Sequence, residues 1–318
     1  MKPREILHIL GTAQPEGTSL ARIVQTLAAH LDPDLYRLTV WFLGPHGPLV
    51  DTFISQGIEA RAFKWPKGAL PFAAAMATRH FDLVHQHHGA RAIRAQISAP
   101  LIVHVHGDAT NPEIATIGAD AVIAVSHYVA RQLTREATVI YPGLPTHPGT
   151  QNPEQPPIIG MATRLVEGKG LEILPHLDLP APLEIAGAGP LRPDAPNVKY
   201  LGWQTDLTPH FHRWSIFLMP ATNEGFGLAA LEAMAHGLPV VAFNSGALPE
   251  LVLHNETGLL STPETLSADL RTLIGNPALR AGLGHAAQTR VRTHFSPERM
   301  AAQTAELYET LLSDRRIL

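Results

Sequence analysis

The sequence predicts an α/β fold made of two domains, each built on a mostly parallel sheet. Strand-like apolar runs alternate with helical stretches, which is typical of parallel sheets because parallel strands need long crossover connections. A proline-rich polar segment interrupts this alternation at residues 145–157, and the pattern restarts directly after it. With 318 residues, the chain is also long enough for two domains of ordinary size.

The first half opens with a buried strand at residues 5–10, a glycine-containing turn and a helix from Leu20 to Leu31. Strand, glycine turn and helix form the first unit of a doubly wound domain. Further strand-like runs follow at residues 38–43, 58–63, 81–85, 101–105, 121–125 and 138–141. We therefore predict four segments: an N-terminal domain over 1–145, a linker over 146–157, a C-terminal domain over 158–296 and a final helix over 297–318.

The composition excludes several classes of protein. Because the chain has no cysteine, disulfides, thiolate catalysis and thiolate metal sites are excluded. The formal net charge is only −4, and neither half is basic enough to suggest a nucleic-acid partner. No apolar run approaches the roughly 20 residues of a membrane span, and residues 1–10 lead directly into a strand pattern rather than a signal peptide. We expect a cytoplasmic protein.

The most informative stretch is NEGFGLAALEAMAHGLPVV, residues 223–241. Glu224 and Glu232 flank a Gly-Phe-Gly sequence and the start of an apolar run at helical spacing. This pattern predicts a glycine loop that leads into a helix N-terminus. The first turn of such a helix has free backbone N–H groups and the positive end of the helix dipole, so it can hold an anion such as a diphosphate without a metal.

The double-glutamate segment resembles a motif of the family 4 glycosyltransferases (glycosyl transferases group 1), which are retaining enzymes that use sugar nucleotides. In the order expected of that family, the chain also carries MATRLVEGKG (161–170), LEIAGAGP (183–190), VKYLGW (198–203), GALPELV (246–252) and ETGLL (256–260). The resemblance covers most of the second half. It implies the GT-B fold, in which two Rossmann-like domains face each other across an interdomain cleft and a final helix crosses back to the N-terminal domain.

The resemblance implies roles for residues of the second half. Arg164 and Lys169 are expected to clamp the donor diphosphate, since an arginine fork binds phosphate in a bidentate manner and lysine acts as a point charge. Glu224 is expected to contact hydroxyls of the donor sugar, and Glu232 those of the ribose. The backbone amides of four consecutive residues are expected to bind the phosphates: Gly225, Phe226, Gly227 and Leu228. The alternative for these charged residues is a solvated surface.

Four further positions follow from the resemblance. Gly189 lies in a strand-end turn expected beside the nucleotide, and Trp203 falls in a loop whose backbone meets the base, with a buried structural tryptophan as the alternative. Gly17 follows Glu16 where the family has a Gly-Gly loop near the phosphates. His106 matches the family's histidine near the donor sugar and the acceptor. The alternative to this role is that His106 only shares a strand face with a second histidine, at position 104.

The resemblance also implies a mechanism, since no enzymic nucleophile is evident. In front-face substitution the leaving phosphate helps to deprotonate the acceptor hydroxyl, with no metal and no other cofactor. The donor is expected to be a UDP-, GDP- or ADP-sugar, and the acceptor a glycan, a lipid or a small molecule. A sugar-nucleotide epimerase of the same architecture and a nucleotide-sugar binding module without catalysis are the alternatives.

A metal-dependent hydrolase is a further alternative. His104, His106 and Asp108 look like the start of a metallo-β-lactamase-type HxHxDH motif. Three more histidines with metal-ligand spacing precede them: His85, His87 and His88. Position 109 holds alanine where that motif requires histidine, which favours the transferase.

Residues 61–79 raise the hypothesis of a peripheral membrane contact. The segment combines Trp65 and Phe72 with basic side chains, a composition suited to an anionic membrane surface. The alternative is a loop and a helix that cover the sheet.

Overall fold

The computed structural model describes residues 2–15, 18–64, 66–87, 97–107, 116–147 and 156–314. Contacts within the chain divide it into two compact units. Unit 1 comprises Met1–Gly143 together with Pro297–Leu318, and unit 2 comprises Leu144–Ser296. Most of the linker predicted at 146–157 lies outside the described residues.

In the described part of unit 1, seven parallel strands form one sheet in the order β3-β2-β1-β4-β5-β6-β7. The strands are β1 (Arg4–Leu10), β2 (Tyr36–Phe42), β3 (Glu59–Ala62), β4 (Leu83–His87), β5 (Leu101–Val105), β6 (Ala121–Ala124) and β7 (Thr138–Val139). The helices between them are α1 (Thr18–His30), α2 (Pro48–Ser55), α3 (Ala69–Thr78) and α4 (His127–Ala130).

In the described part of unit 2, six parallel strands form a second sheet in the order β10-β9-β8-β11-β12-β13. The strands are β8 (Ile159–Ala162), β9 (Leu183–Ala186), β10 (Val198–Gly202), β11 (Ile216–Met219), β12 (Val240–Phe243) and β13 (Gly258–Ser261). The α-helices are α5 (Thr208–Phe211), α6 (Leu228–Ala235), α7 (Leu248–Leu251), α8 (Leu266–Gly275) and α9 (Pro277–His294), and a 3₁₀ helix covers Leu171–His176.

The last helix, α10 (Pro297–Asp314), belongs to unit 1 and packs against α1. Two side-chain contacts attach it to the sheet of that unit. The hydroxyl of Tyr36 donates to Glu309 Oε1 at 2.8 Å, and the hydroxyl of Tyr308, a fully buried residue, lies 2.7 Å from Nδ1 of His85. Unit 1 is therefore built from two separate pieces of the chain.

The central strands of unit 2 are buried along their whole length, as expected for parallel strands covered on both faces. Their side chains are apolar apart from one charged residue, Glu184 in β9. The Glu184 carboxylate accepts a hydrogen bond from Trp214 Nε1 at 3.1 Å and pairs with Arg213. This charge is thus compensated inside the unit.

Both sheets have the strand order that defines Rossmann-like domains, in which the first strand lies at the centre and the order reverses beside it. The predicted fold class, two parallel-sheet α/β domains, is confirmed. In such sheets ligands bind beyond the carboxyl ends of the two strands that flank the reversal. In unit 2 these strands are β8 and β11.

Candidate functional site

The predicted donor-binding residues of unit 2 lie largely on the two loops that leave the reversal point of its sheet. Residues 163–170 follow β8 and carry Arg164 and Lys169. Residues 220–227 follow β11 and carry Glu224 before α6 begins. The two loops are distant in sequence but adjacent in space, because the carboxyl ends of neighbouring parallel strands meet at the same edge of a sheet.

An ion pair joins the two loops. Lys169 Nζ lies 2.7 Å from Glu224 Oε2, and each side chain is only 17% exposed. The backbone continues the connection, since the N–H of Thr222 donates to the carbonyl of Gly168 at 3.1 Å. The Glu224 carbonyl in turn accepts from the N–H of Ala247 at 2.9 Å. A cation and an anion are thus held side by side at the sheet edge where ligands bind in this fold.

Helix α6 begins directly after this pair. Gly227 caps it with φ 96°, a left-handed conformation that favours glycine, and Leu228 is its first residue. The amides of the first turn of a helix have no partner within the helix, and the dipole places partial positive charge there. Glu232 lies one turn further along α6 and is partly buried. The predicted glycine loop and helix start are therefore present.

The side chain of Phe226 points into the core of unit 2. It is 3% exposed, and its ring contacts that of Phe295 with centroids 5.8 Å apart. Gly225 beside it is also buried. Phe226 therefore fixes the loop by packing, and the predicted phosphate contact concerns its backbone amide alone.

The loop after β8 is held against the turn that follows β9. Leu165 N–H donates to the Ala188 carbonyl at 2.9 Å. A Cβ on Gly189 would lie 2.3 Å from the Leu165 carbonyl oxygen, so only glycine fits at this position. Arg164 is exposed, and its guanidinium makes no ion pair with the residues that the structure describes. Its side chain is thus available to a ligand on the surface of this loop.

Trp203 lies at the end of β10 and is 43% exposed. The alternative of a buried structural tryptophan is therefore wrong. An exposed indole beside the β9 turn remains compatible with the predicted position near the base, although its role is a prediction.

In the part of unit 1 that the structure describes, five histidines lie together, and we call them the histidine cluster: His8, His85, His87, His104 and His106. Its members come from β1, β4 and the end of β5 and lie on one face of the sheet. His87 Nδ1 is 2.9 Å from His106 Nε2, and His87 Nε2 is 3.0 Å from His8 Nδ1. The rings of His104 and His106 also adjoin, with centroids 4.0 Å apart, as the strand-face alternative predicted.

Burial keeps the inner members of this cluster neutral. It lowers the pKa of His8 to about 3. Burial, and then the neighbouring rings, also lowers the pKa of His85 and of His87 well below the usual value for histidine. The sequence spacing reveals His85 with His87 and His104 with His106, but it gives no indication that His8 and Tyr308 join them.

Several predicted residues lie outside the described residues. These residues are Glu16, Gly17, Trp65, His88 and Asp108. The predicted phosphate loop of unit 1 and the full ligand set of the hydrolase alternative therefore stay predictions.

The structure corrects the membrane hypothesis at one residue. Phe72 is fully buried, and its ring contacts that of Phe63 with centroids 5.5 Å apart. It belongs to the core that covers the sheet and does not face a membrane. Leu70 in the same helix is 83% exposed. None of the described helices is both long and apolar enough to span a bilayer.

Two Rossmann-like units, with a cation, a carboxylate and a helix N-terminus at the reversal point of one sheet, define a protein of the doubly wound α/β class. Residues 156–276, almost all in unit 2, match the family described as glycosyl transferases group 1. The match confirms, for this part of the chain, the resemblance on which the sequence motifs were read.

Relatives of this chain carry glycosyltransferase names. It is 37% identical over 123 residues to the lipopolysaccharide core biosynthesis mannosyltransferase LpcC of Rhizobium leguminosarum bv. viciae, covering 38% of this chain and 35% of that protein. It is 28% identical over 272 residues to an uncharacterized glycosyltransferase of Methanocaldococcus jannaschii, covering 72% of this chain and 76% of the other. The chain spans about a third or less of the length of the first curated relatives that it matches.

Solved structures share the fold over nearly the whole chain. The crystal structure of Anabaena HepE in complex with UDP and glucose has a TM-score of 0.79 at 22% identity, covering 96% of this chain and 99% of that one. A glycosyltransferase from Rickettsia africae has a TM-score of 0.78 at 19% identity, covering 98% and 99%. These likenesses support the GT-B fold class.

Proposed function

We propose that the protein is a retaining glycosyltransferase that moves a sugar from a nucleotide-sugar donor to an acceptor hydroxyl without a metal ion in the donor site. One observation carries this proposal: the Lys169–Glu224 pair lies directly before the N-terminus of α6, at the reversal point of a Rossmann-like sheet. The family match of residues 156–276 and the likeness to HepE, which was crystallised with UDP, support it.

The charges of this site suit departure of a nucleoside diphosphate. When the bond between the sugar and the diphosphate breaks, negative charge builds on the leaving phosphate, and fixed cations and amides stabilise it best where little water competes. Lys169 supplies a mostly buried positive charge, and the first turn of α6 supplies amides. Arg164 adds an exposed guanidinium from the same loop as Lys169. These groups do for the diphosphate what a bound Mg²⁺ does in other transferases.

The pairing of Glu224 supports the front-face mechanism. A double-displacement reaction requires a carboxylate that attacks the anomeric carbon. Glu224 is the carboxylate at the centre of this site, and its charge is compensated by Lys169 at 2.7 Å. A compensated carboxylate is a weak nucleophile and a good acceptor of hydrogen bonds from sugar hydroxyls. We therefore infer that Glu224 orients the donor sugar while the leaving phosphate takes the proton of the acceptor.

The donor is proposed to be a UDP-, GDP- or ADP-sugar and the acceptor a glycan, a lipid or a small molecule. HepE was crystallised with UDP, and LpcC is named a mannosyltransferase, so UDP-glucose and GDP-mannose are the first donors to test. Thermal-shift screening of these donors, followed by NMR of the product, decides between functions. Transfer with retained anomeric configuration supports the proposal, conversion of donor without acceptor indicates an epimerase, and binding without turnover indicates a binding module.

Substitution of Lys169 by alanine tests the site. We expect turnover to fall by about 10²–10³-fold, the scale of removing one charge-stabilising group, and turnover of the unsubstituted protein to be independent of added Mg²⁺ or Mn²⁺. Lys199→Ala is the matched control, since Lys199 is also an ion-paired lysine of unit 2, 3.4 Å from Glu184, but is remote from the reversal point. Unchanged turnover of Lys169→Ala would contradict the assignment.

We also propose a peripheral contact with an anionic membrane through residues 61–79, now without Phe72. Exposed Leu70 and the basic residues Lys64 and Lys67 support it. Co-sedimentation with liposomes containing phosphatidylglycerol should be stronger than with phosphatidylcholine alone and should weaken in Leu70→Glu. Equal sedimentation of the unsubstituted protein and Leu70→Glu would contradict this proposal.

A further inference from the structure

Apart from His106, which the resemblance expects near the donor sugar and the acceptor, the histidine cluster has no part in the proposed donor site. Its arrangement is unusual for a core. His85, His87 and His104 are at most 3% exposed, whereas His106 is partly exposed. The cluster lies at the carboxyl ends of β4 and β5, beside the reversal point of the first sheet. It therefore combines several nitrogen donors with one accessible side.

We propose that His87, His104 and His106 form a binding site for one transition-metal ion that prefers nitrogen ligands, of which Zn²⁺ is the representative. One nitrogen atom from each of these rings lies within 4.8 Å of the other two. In a tetrahedral zinc site with Zn–N bonds of about 2.0–2.1 Å, ligand nitrogens are about 3.3 Å apart. His87 Nδ1 and His106 Nε2 are 2.9 Å apart, so this pair needs to separate by about 0.4 Å. The His104 nitrogen lies within 4.8 Å of both and needs to approach by at most about 1.5 Å.

The surrounding hydrogen bonds suit metal-binding histidines. A histidine that binds a metal through one nitrogen usually donates the N–H of the other to a partner, which fixes its tautomer and orientation. With Nδ1 on the ion, His87 donates its Nε2–H to His8 Nδ1 at 3.0 Å. With Nε2 on the ion, His104 donates its Nδ1–H to His85 Nε2 at 3.2 Å.

Both lines of hydrogen bonds end at one phenol oxygen. The hydroxyl oxygen of Tyr308 lies 2.7 Å from His85 Nδ1 and 3.4 Å from His8 Nε2. A hydroxyl oxygen has two lone pairs and can accept from both rings. Tyr308 therefore acts as a positioning residue that orients two metal ligands through His85 and His8.

The ligand chemistry determines the class of ion. Three imidazoles suit Zn²⁺, Co²⁺, Ni²⁺ or Cu²⁺, whereas Mg²⁺ and Mn²⁺ prefer oxygen ligands. The site is thus distinct in kind from the Mg²⁺ or Mn²⁺ sites that bridge phosphates in other transferases. Its expected role is to fix the end of β5, including His106, to the end of β4. The ion takes no part in the proposed transfer reaction.

Metal content of the full chain tests this inference without any measurement of turnover. The protein is purified without a histidine tag, stripped with EDTA, dialysed against Zn²⁺ or Co²⁺ and analysed for bound metal. We expect one ion per chain, visible d–d absorption of tetrahedral Co²⁺, and a higher melting temperature that EDTA reverses. His106→Ala should weaken binding by at least about 100-fold, and Tyr308→Phe by about 10–100-fold, the usual effect of removing an outer-shell partner.

His80→Ala is the matched control, because His80 is a histidine of unit 1 that is 85% exposed and lies outside the cluster. It should bind metal like the unsubstituted protein. His106 is partly exposed, so His106→Ala should fold, which circular dichroism checks. The absence of a stoichiometric ion in the unsubstituted protein would overturn the inference, and so would equal losses in His106→Ala and His80→Ala. In either case the cluster is a hydrogen-bonded set of neutral rings.

Discussion

Two glycines on either side of Lys169 offer a test of how the donor site is built. Both Gly168 and Gly170 have positive φ, 76° and 74°, which alanine adopts at a cost of about 1–2 kcal/mol. Their surroundings differ. A Cβ on Gly168 would meet only Thr222 Oγ1, at 3.7 Å, whereas a Cβ on Gly170 would lie 2.1 Å from the carbonyl oxygen of Pro220.

The clash at Gly170 should add to the backbone cost. A Cβ at 2.1 Å from a backbone oxygen forces a shift of one loop against the other, and overpacking of this kind costs about 1–3 kcal/mol. We therefore expect Gly168→Ala to lower the free energy of unfolding of unit 2 by about 1–2 kcal/mol, and Gly170→Ala by about 2–5 kcal/mol. Pro220 begins the loop that carries Glu224, so the same shift should separate Glu224 from Lys169.

Urea unfolding measures the first effect, and donor kinetics measure the second. The difference between the two variants, rather than either value alone, isolates the clash, since the positive-φ cost is common to both. Turnover should fall further in Gly170→Ala than in Gly168→Ala, because only the former displaces the loop of Glu224. If the two variants lose the same stability and the same activity, the close approach of Gly170 to Pro220 does not hold the site together.

Two further predictions concern the cores of the units. Burial alone would raise the pKa of Glu184, but the hydrogen bond from Trp214 and the charge of Arg213 hold its pKa below the usual value. Its contribution to stability is therefore fully present above the unfolded pKa of about 4.3 and is lost as the pH falls through the folded pKa. Glu184→Gln should cost about 1–3 kcal/mol at pH 7 and should reduce the acid dependence of the urea midpoint; an unchanged dependence contradicts this. Phe72→Ala should cost about 3–5 kcal/mol because the ring is fully buried, and Leu70→Ala less than about 0.5 kcal/mol because that side chain is exposed; similar urea midpoints for the two variants would refute the assignment of Phe72 to the core.

The fold could be predicted from the sequence because its signals are local. Alternating apolar runs and turns marked every strand of the first sheet to within a few residues, including β1 at Arg4–Leu10 and β5 at Leu101–Val105. The start of α6 followed from a glycine loop and an apolar run that adjoin in the chain. Spacing of this kind reports on neighbours in sequence, and secondary structure depends mainly on those neighbours.

The candidate site was only partly predictable for the same reason. The motifs placed Lys169 and Glu224 in one site, but not their direct contact across 55 residues. Burial of Phe72 and exposure of Trp203 depend on packing between distant segments, which no local pattern reports. Tyr308 meets His85 across 223 residues, and nothing near either residue indicates the other.

The participation of α10 in unit 1 has a consequence for synthesis on the ribosome. Unit 2 is one continuous stretch, whereas the first sheet receives Tyr308 and Glu309 only after unit 2 has been translated. At about 5–20 residues per second, this delay is on the order of 10–30 s. The later-made unit is thus the first able to complete its native contacts, whereas the strands of unit 1 wait through that interval for the helix that contacts Tyr36 and His85.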